Sequence, residues 1–221
     1  MRNLFLQYFE SENVNRRIEF NHCIKRNIEN ILINRVYILI ENVDISNPLF
    51  QSEKVTILVV NKRLTYRETI NYINRYSNVD DINMFCNLDI YFDESIINFD
   101  LIDNNTFIAL TRWDVNLVTH SIKFFNRKDS QDSWIWKGHL NLDKFNLNYY
   151  LGTKGCDNAI CGEFYENGFK VCNPSLKIKT YHLHNLNNRT YLNGPTVNLN
   201  LYTVTPTYKF NSVCELSRMK L

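Results

Sequence analysis

The stretch LFLQYFESENVNRRIEFNHCIKRNIENILINRVYILIENV, Leu4 to Val43, decides the fold. Leu4 to Phe9 is a short apolar run of the kind that forms a buried strand. From Asn15 to Ile33 the apolar residues Ile18, Cys23, Ile28, Ile31 and Leu32 recur at helical spacing, and Val36 to Val43 reads as a strand again. Strand, helix, strand is how α/β domains open. Further along, Lys54 to Val60 has the continuous apolar character of a strand buried on both faces, and Tyr66 to Tyr76 reads as a second helix. Ile82 to Phe92 reads as a strand that carries acids at its C-terminal end. Thr106 to Arg112 and Trp134 to Lys137 are further strands, Leu151 to Phe164 is helical from near Gly155, and Val171 to Leu183 is mainly extended. This alternation predicts an α/β domain with a mixed, mostly parallel sheet, right-handed crossovers and flanking helices. One domain is expected over residues 1–221, with 193–221 as an extended tail packing on it.

Composition narrows the function classes. The chain has 221 residues, 44% of them hydrophobic and 14% aromatic, with a formal charge of +2, which excludes a disordered or polycationic chain. The densest basic group, Arg16, Arg17, Lys25 and Arg26, alternates with Glu19 and Glu29 as on a solvated helix face, so nucleic acid is not an expected partner. Asn makes up about one residue in seven, dispersed among apolar residues that keep their periodicity, which reads as codon bias rather than low complexity. The N-terminal apolar run is too short for a signal peptide and no segment is long enough to span a bilayer. A cytoplasmic protein with reduced cysteines is therefore expected. Cys156, Cys161 and Cys172 with His182 and His184 lack the Cys-x-x-Cys spacing of a structural zinc site.

The run Asn87-Leu88-Asp89-Ile90-Tyr91-Phe92-Asp93 carries the chemistry. Strand alternation puts Asn87, Asp89, Tyr91 and Asp93 on one face, at the sheet edge where open α/β domains bind ligands. Oxygen ligands of this kind suit Mg²⁺ or Mn²⁺ while leaving positions open for substrate phosphates. The bland alternative is a strand end followed by Asp93 and Glu94 capping the next element. In Tyr181-His182-Leu183-His184 both imidazoles share a strand face, and either histidine would complete a transition-metal site. In Asp129-Ser130-Gln131-Asp132-Ser133-Trp134-Ile135-Trp136, Asp132 is the carboxylate placed to take a proton from an acceptor hydroxyl. Trp134 and Trp136 are core, or one of them is a platform for a sugar ring. Gly152 and Gly155 read as a turn ahead of Cys156-Asp157-Asn158.

The order of Asn61-Lys62-Arg63-Leu64-Thr65-Tyr66, NLDIYFDESI (Asn87 to Ile96), TRWD (Thr111 to Asp114), DSQDSWIW (Asp129 to Trp136), LGTKGCDN (Leu151 to Asn158), NPSLKIKTYHLH (Asn173 to His184) and Arg189-Thr190-Tyr191 resembles the small GT-A-type glycosyltransferase domains of large DNA viruses, chlorella viruses included, and their microbial relatives. The likeness runs from Leu4 to about Tyr191. It implies a GT-A-like, Rossmann-like fold, a nucleotide-sugar donor, UDP-linked, a Mn²⁺ or Mg²⁺ ion, and transfer of the sugar to a glycan acceptor. It also implies that Asn87 and Asp89 take the place of the family's Asp-x-Asp motif, from which the chain departs by carrying Asn first. The same resemblance puts the loop after the first strand, from Phe9 to Asn13, and Arg63 at the nucleoside. It puts His182 or His184 and Arg189 near the diphosphate, and Asp157 against sugar hydroxyls. A sugar nucleotidyltransferase would carry a Gly-rich loop after the first strand, where this chain has Glu10-Ser11-Glu12-Asn13. A non-catalytic carbohydrate-binding or interaction module would leave Asp89 far from the histidines.

Overall fold

The computed structural model describes residues 1–41, 47–183 and 196–209, and the backbone of Leu216–Arg218. In chain order the elements are β1 (Arg2–Tyr8), α1 (Val14–Glu29), β2 (Arg35–Ile40), β3 (Val55–Val59), α2 (Tyr66–Tyr76), β4 (Ile82–Cys86) and β5 (Ile90–Phe92). They continue with β6 (Thr106–Leu110), β7 (Trp113–Asn116), β8 (Ser121–Phe124), β9 (Ser133–Lys137), α3 (Cys156–Glu166), β10 (Lys170–Cys172), β11 (Thr180–Leu183), β12 (Tyr202–Val204) and β13 (Leu216–Arg218). Short 3₁₀ helices cover Pro48–Gln51 and Glu94–Leu101. A seven-stranded sheet runs β10-β6-β9-β4-β1-β2-β3, a four-stranded sheet β5-β11-β7-β8, and β12 pairs with β13. In the large sheet β3, β2, β1 and β4 are mutually parallel, β10 is parallel to β6, and β9 runs antiparallel between β4 and β6. The mixed, mostly parallel sheet expected from the alternation is therefore present.

Local chemistry explains these elements. Leu4, Phe5 and Leu6 of β1 are fully buried, as a central parallel strand requires. Helix α2 has the bounds read from the sequence because Thr65 and Glu68 form a capping box, each side chain accepting from the other's backbone N–H. Helix α1 starts under the Asn13 cap, which accepts from the N–H groups of Asn15 and Arg16. It ends at Glu29, short of the expected Ile33. Asn30 turns the chain by accepting from Leu32 N, and Ile31, counted in the helical face, is 90% exposed. Its buried stripe is Glu19, Phe20, Cys23, Ile24 and Asn27, so two polar residues stand where the apolar pattern placed Ile18.

The expected strand from Ile82 to Phe92 is two strands in two sheets. Strand β4 ends at Cys86; Asn87 N donates to Asp132 O (3.1 Å), Ile90 N donates back to Asn87 O (3.2 Å), and the chain turns before β5. Asn27 of α1 fastens β5 there, its amide donating to Ile90 O (2.9 Å) and accepting from Phe92 N (3.0 Å). Asn87, Asp89, Tyr91 and Asp93 consequently do not line one strand face. Tyr91 stacks on Tyr181 (5.1 Å) beneath Arg26, and Asp93 caps the following 3₁₀ helix through Ser95 N (2.9 Å). The extended stretch expected from Val171 to Leu183 is likewise broken by a turn over residues 175–178, and β7 and β8 arise where no strands were read.

Trp134 and Trp136 are both core. Trp134 packs with Tyr66 and Phe85, Trp136 with Phe107. Cys23, Cys86, Cys156, Cys161 and Cys172 are buried, and Cys214 lies outside the described residues. No helix among the described residues is long and apolar enough to cross a membrane. Residues 196–209 lie against α3 and the loops beside it: Asn158 Nδ2 donates to Tyr202 O (2.9 Å) and Val204 N to Lys128 O (2.8 Å). Gly162 makes this approach possible, because a Cβ there would sit 2.7 Å from Asn200 O and 2.6 Å from Tyr202 Cδ2. Gly162→Ala is expected to destabilise the fold by about 1–3 kcal/mol through overpacking. A thermal melt checks this, and an unchanged midpoint would show that the segment is not held tightly on α3.

Candidate functional site

Because β1, β2, β3 and β4 are parallel, their carboxyl ends and following loops share one edge of the sheet, where open α/β folds form binding crevices. Asp89 stands there, in the turn after β4, 7% exposed. Its Oδ2 accepts from Arg16 Nη2 of α1 (2.8 Å) and from His182 Nε2 of β11 (3.2 Å). Arg16 Nη1 donates to the buried Glu19 (2.6 Å). On the other side of the imidazole, Nδ1 of His182 donates to Asp114 Oδ1 of β7 (3.0 Å), which also accepts from Arg112 Nε (2.8 Å). Arg112 Nη1 then donates to both oxygens of Asp132 (3.2 and 3.0 Å), and Asn87 Nδ2 donates to Asp132 Oδ1 (2.9 Å). Glu19, Arg16, Asp89, His182, Asp114, Arg112 and Asp132 thus form one continuous chain of alternating charge, which the neutral Asn87 amide ends.

The charges tune one another. Burial alone would depress the His182 imidazole, but the Asp89 carboxylate and the hydrogen bonds to Asp114 and Asp89 push it up to about 9, so it is an imidazolium donating from both nitrogens at neutral pH. Burial works against ionisation of Asp89, yet His182 and Arg16 hold its carboxyl well below the usual carboxylate range. Asp114 is lowered as well: His182 and Arg112 overcome its burial.

Beyond Asp132 opens a cleft of about 150 Å³ bordered by Asn87, Arg112, Asp132, Trp134, Gly152 and Asp157. A larger cavity of about 270 Å³ lies away from it, around Arg2, Asn34, Asp100 and Lys137 at the amino ends of the strands, with none of the chain of charges. Asp157 sits in the first turn of α3, which Gly155 opens with a left-handed φ of 80°. Its Oδ2 accepts from Gln131 N (3.2 Å). Burial, and then the neighbouring Asp132 charge, push its carboxyl up to about 7 despite that bond.

Of the residues expected from the sequence, Asp89 and His182 are in direct contact, and Asn87, Asp132 and Asp157 border the same cleft. Phe9 and Arg63 stay outside the ionic chain. Phe9 is 46% exposed at the end of β1, edge-on to Phe20 (5.5 Å); Arg63, after β3, lies over Tyr150 (5.3 Å) and donates to Leu151 O beside the cleft. His184 and Arg189 lie outside the described residues. Arg16, Glu19, Arg112 and Asp114 escaped the sequence reading. Arg112 and Asp114 stand in the TRWD run, whereas nothing local marks Arg16 as the partner of a residue 73 positions away.

Among the described residues, no three His, Cys, Asp or Glu side chains are grouped to hold a metal ion. One observation does fit a cation: Asp89 Oδ1 is buried and makes no hydrogen bond. A carboxylate oxygen in that state is an acceptor without its donor.

No protein-family model matches the sequence, and no curated protein matches it. Solved structures share its fold. A mannosyltransferase from Pyrobaculum calidifontis, PcManGT, in complex with GDP-Man and Mn²⁺, superimposes with a TM-score of 0.54 over 86% of this chain and 58% of its own, at 8% identity. GalNAc-T7 with UDP, GalNAc and Mn²⁺ gives a TM-score of 0.54 over 88% of this chain and 44% of its own, at 6% identity. The chain therefore spans about half the length of these two structures. Its mixed, mostly parallel sheet with flanking helices is that of the GT-A fold.

Proposed function

We propose that this chain is a metal-dependent glycosyltransferase that moves a sugar from a nucleotide-diphosphate donor, UDP-linked, to a hydroxyl of a glycan acceptor. The observation that carries the reading is Asp89: an ionised carboxylate at the carboxyl edge of a GT-A sheet, in contact with His182, with one buried oxygen lacking a donor. The same contact weighs against a non-catalytic module with dispersed polar residues. Asp89, His182 and Asn87 are the residues to hold Mn²⁺ or Mg²⁺, with His184 as a further ligand. A divalent ion there supplies charge neutralisation for the diphosphate as it departs. For His182 to ligate it must first give up the proton it holds between Asp89 and Asp114, after which Asp114 fixes the ring through Nδ1. Phe9 and Arg63, at the ends of β1 and β3, are assigned to the nucleoside, and Arg189 to the diphosphate.

For the acceptor's proton the geometry favours Asp157 over Asp132. Both oxygens of Asp132 are engaged by Arg112, and one by Asn87 as well. Asp157, poised near 7 in the adjacent cleft, has the basicity a general base needs at neutral pH. Asp132 then acts through its charge, which keeps Asp157 basic. This assignment gives transfer with inversion.

UDP with Mn²⁺, at about 100 times its Kd, is expected to stabilise the fold by about 2.7 kcal/mol and to raise the melting temperature by several degrees. Asp89→Ala should abolish the shift, and no shift with any nucleoside diphosphate would remove the basis of the proposal. Asp157→Asn should lower kcat by about 10²–10⁴. Asp132→Asn should instead move the rising limb of the kcat/KM profile, expected near pH 7, to lower pH. Equal loss of kcat at Asp132 with little effect at Asp157 would return the base to Asp132.

The same carboxyl sets a stability signature. Its folded pKa lies above its unfolded value, so its contribution is complete below about pH 4 and is lost as pH rises through about 7. Asp157→Asn should therefore flatten the decline between pH 5 and 8. At pH 8 it should exceed the wild type by about 4 kcal/mol in urea unfolding, about three pKa units at about 1.4 kcal/mol each.

A further inference from the structure

Arg16 is a cation that the transfer scheme leaves without a task. It stands in the first turn of α1, a quarter exposed, with its guanidinium over the Phe20 ring (4.8 Å). Two features separate it from an ordinary ion pair. Asp89 receives both of its cations on the same oxygen, Oδ2, while Oδ1 is buried with no partner, so the carboxylate is crowded on one side and empty on the other. Arg16, for its part, is held by two carboxylates through two different nitrogens: Nη1 to the buried Glu19 and Nη2 to Asp89. If Asp89 is taken over by another cation, Glu19 still anchors the guanidinium by Nη1, and Nη2 is left beside the site with a proton to donate.

The diphosphate gains negative charge as the sugar departs, more than one divalent ion cancels, and a guanidinium is well matched to phosphoryl oxygens. We propose that Arg16 is a diphosphate-binding residue held in reserve on Asp89: in the ligand-free protein it occupies the carboxylate, and with donor bound its Nη2 passes to a pyrophosphate oxygen while Nη1 stays on Glu19. This rests on the reading of Asp89 as the donor-site carboxylate. It makes the site discriminate, since a lone divalent ion has to displace Arg16 with nothing for the guanidinium to move to, whereas an ion arriving with a diphosphate supplies the new partner.

The test uses the full chain and binding alone. Mn²⁺ by itself is titrated by the spin-resonance signal of the free ion, and UDP is titrated calorimetrically at saturating Mn²⁺. The variant is Arg16→Met with Glu19→Gln, which removes the pair together so that Glu19 is not left charged without Arg16, while His182 still compensates Asp89. The expected result is two changes of opposite sign, each about tenfold: Mn²⁺ alone binds more tightly than to wild type, and UDP with Mn²⁺ binds more weakly. Both affinities falling together, or neither moving, would overturn the proposal, because a purely structural ion pair has no means of shifting them apart. Should the double variant fail to fold, Arg16→Lys retains one charge but carries it on a single nitrogen, so it has no second nitrogen to pass to a phosphate while the first stays on Glu19. It should leave Mn²⁺ alone near wild type and weaken UDP with Mn²⁺, and an unchanged UDP affinity would count against the role. Asp89→Asn separates the two levels. Loss of both ligands supports the donor site, while wild-type binding of both would sink that reading and this inference with it.

Discussion

A carboxylate as deeply buried as Asp89 stays ionised only if cations are brought to it, and in this chain they come from two distant elements, Arg16 from α1 and His182 from β11. That requirement fixes much of the architecture. Helix α1 must lie with its first turn at the carboxyl edge of the large sheet, and β11 must belong to the small sheet that starts where β4 is abandoned. The turn at Asn87–Asp89 is the junction between the two sheets, and the polar chain runs along that seam. Removing either cation would leave the buried carboxylate with one of its two counter-charges, a larger disturbance than the loss of a surface ion pair.

The seam has two electrostatic halves joined by Arg112. On one side Asp89, His182 and Asp114 form an acid–imidazolium–acid sequence suited to exchanging a proton for a cation. On the other, Arg112 and Asn87 hold the Asp132 carboxylate in place, and burial together with the Asp132 charge makes Asp157 reluctant to ionise. Such separation of neighbouring carboxyls is how one cleft offers both a fixed charge and a base at neutral pH.

Much of the fold was legible because local rules and global burial agree. Strand β1 is apolar throughout because it is covered on both faces, and α2 announces itself through Thr65 and Glu68. The reading failed where long-range partners override local pattern. Nothing in NLDIYFD says that it must bend; the bend depends on Asp132 O and on the Asn27 side chain, 45 and 63 residues from the atoms they bind. The α1 stripe was misread because Glu19 and Asn27 are buried for their hydrogen bonds rather than their hydrophobicity. At the site, residue type singled out Asp89 and His182, which the fold brings into contact, and Asp132 and Asp157, which it brings to the border of one cleft. Arg16 looked like any basic residue on a wet helix face, because its burial is created entirely by the tertiary fold.

The Asn27 amide has a consequence beyond holding the bend. By donating to Ile90 O and accepting from Phe92 N it imitates the backbone of one more strand, so the β5 margin of the small sheet offers those two groups to no other polypeptide. Among the described residues the sheet keeps an open border along β8, where Ser121, Ile122 and Lys123 face water. A charged lysine on that border discourages edge-to-edge stacking between molecules, so one side chain at each end protects an otherwise sticky surface from self-association.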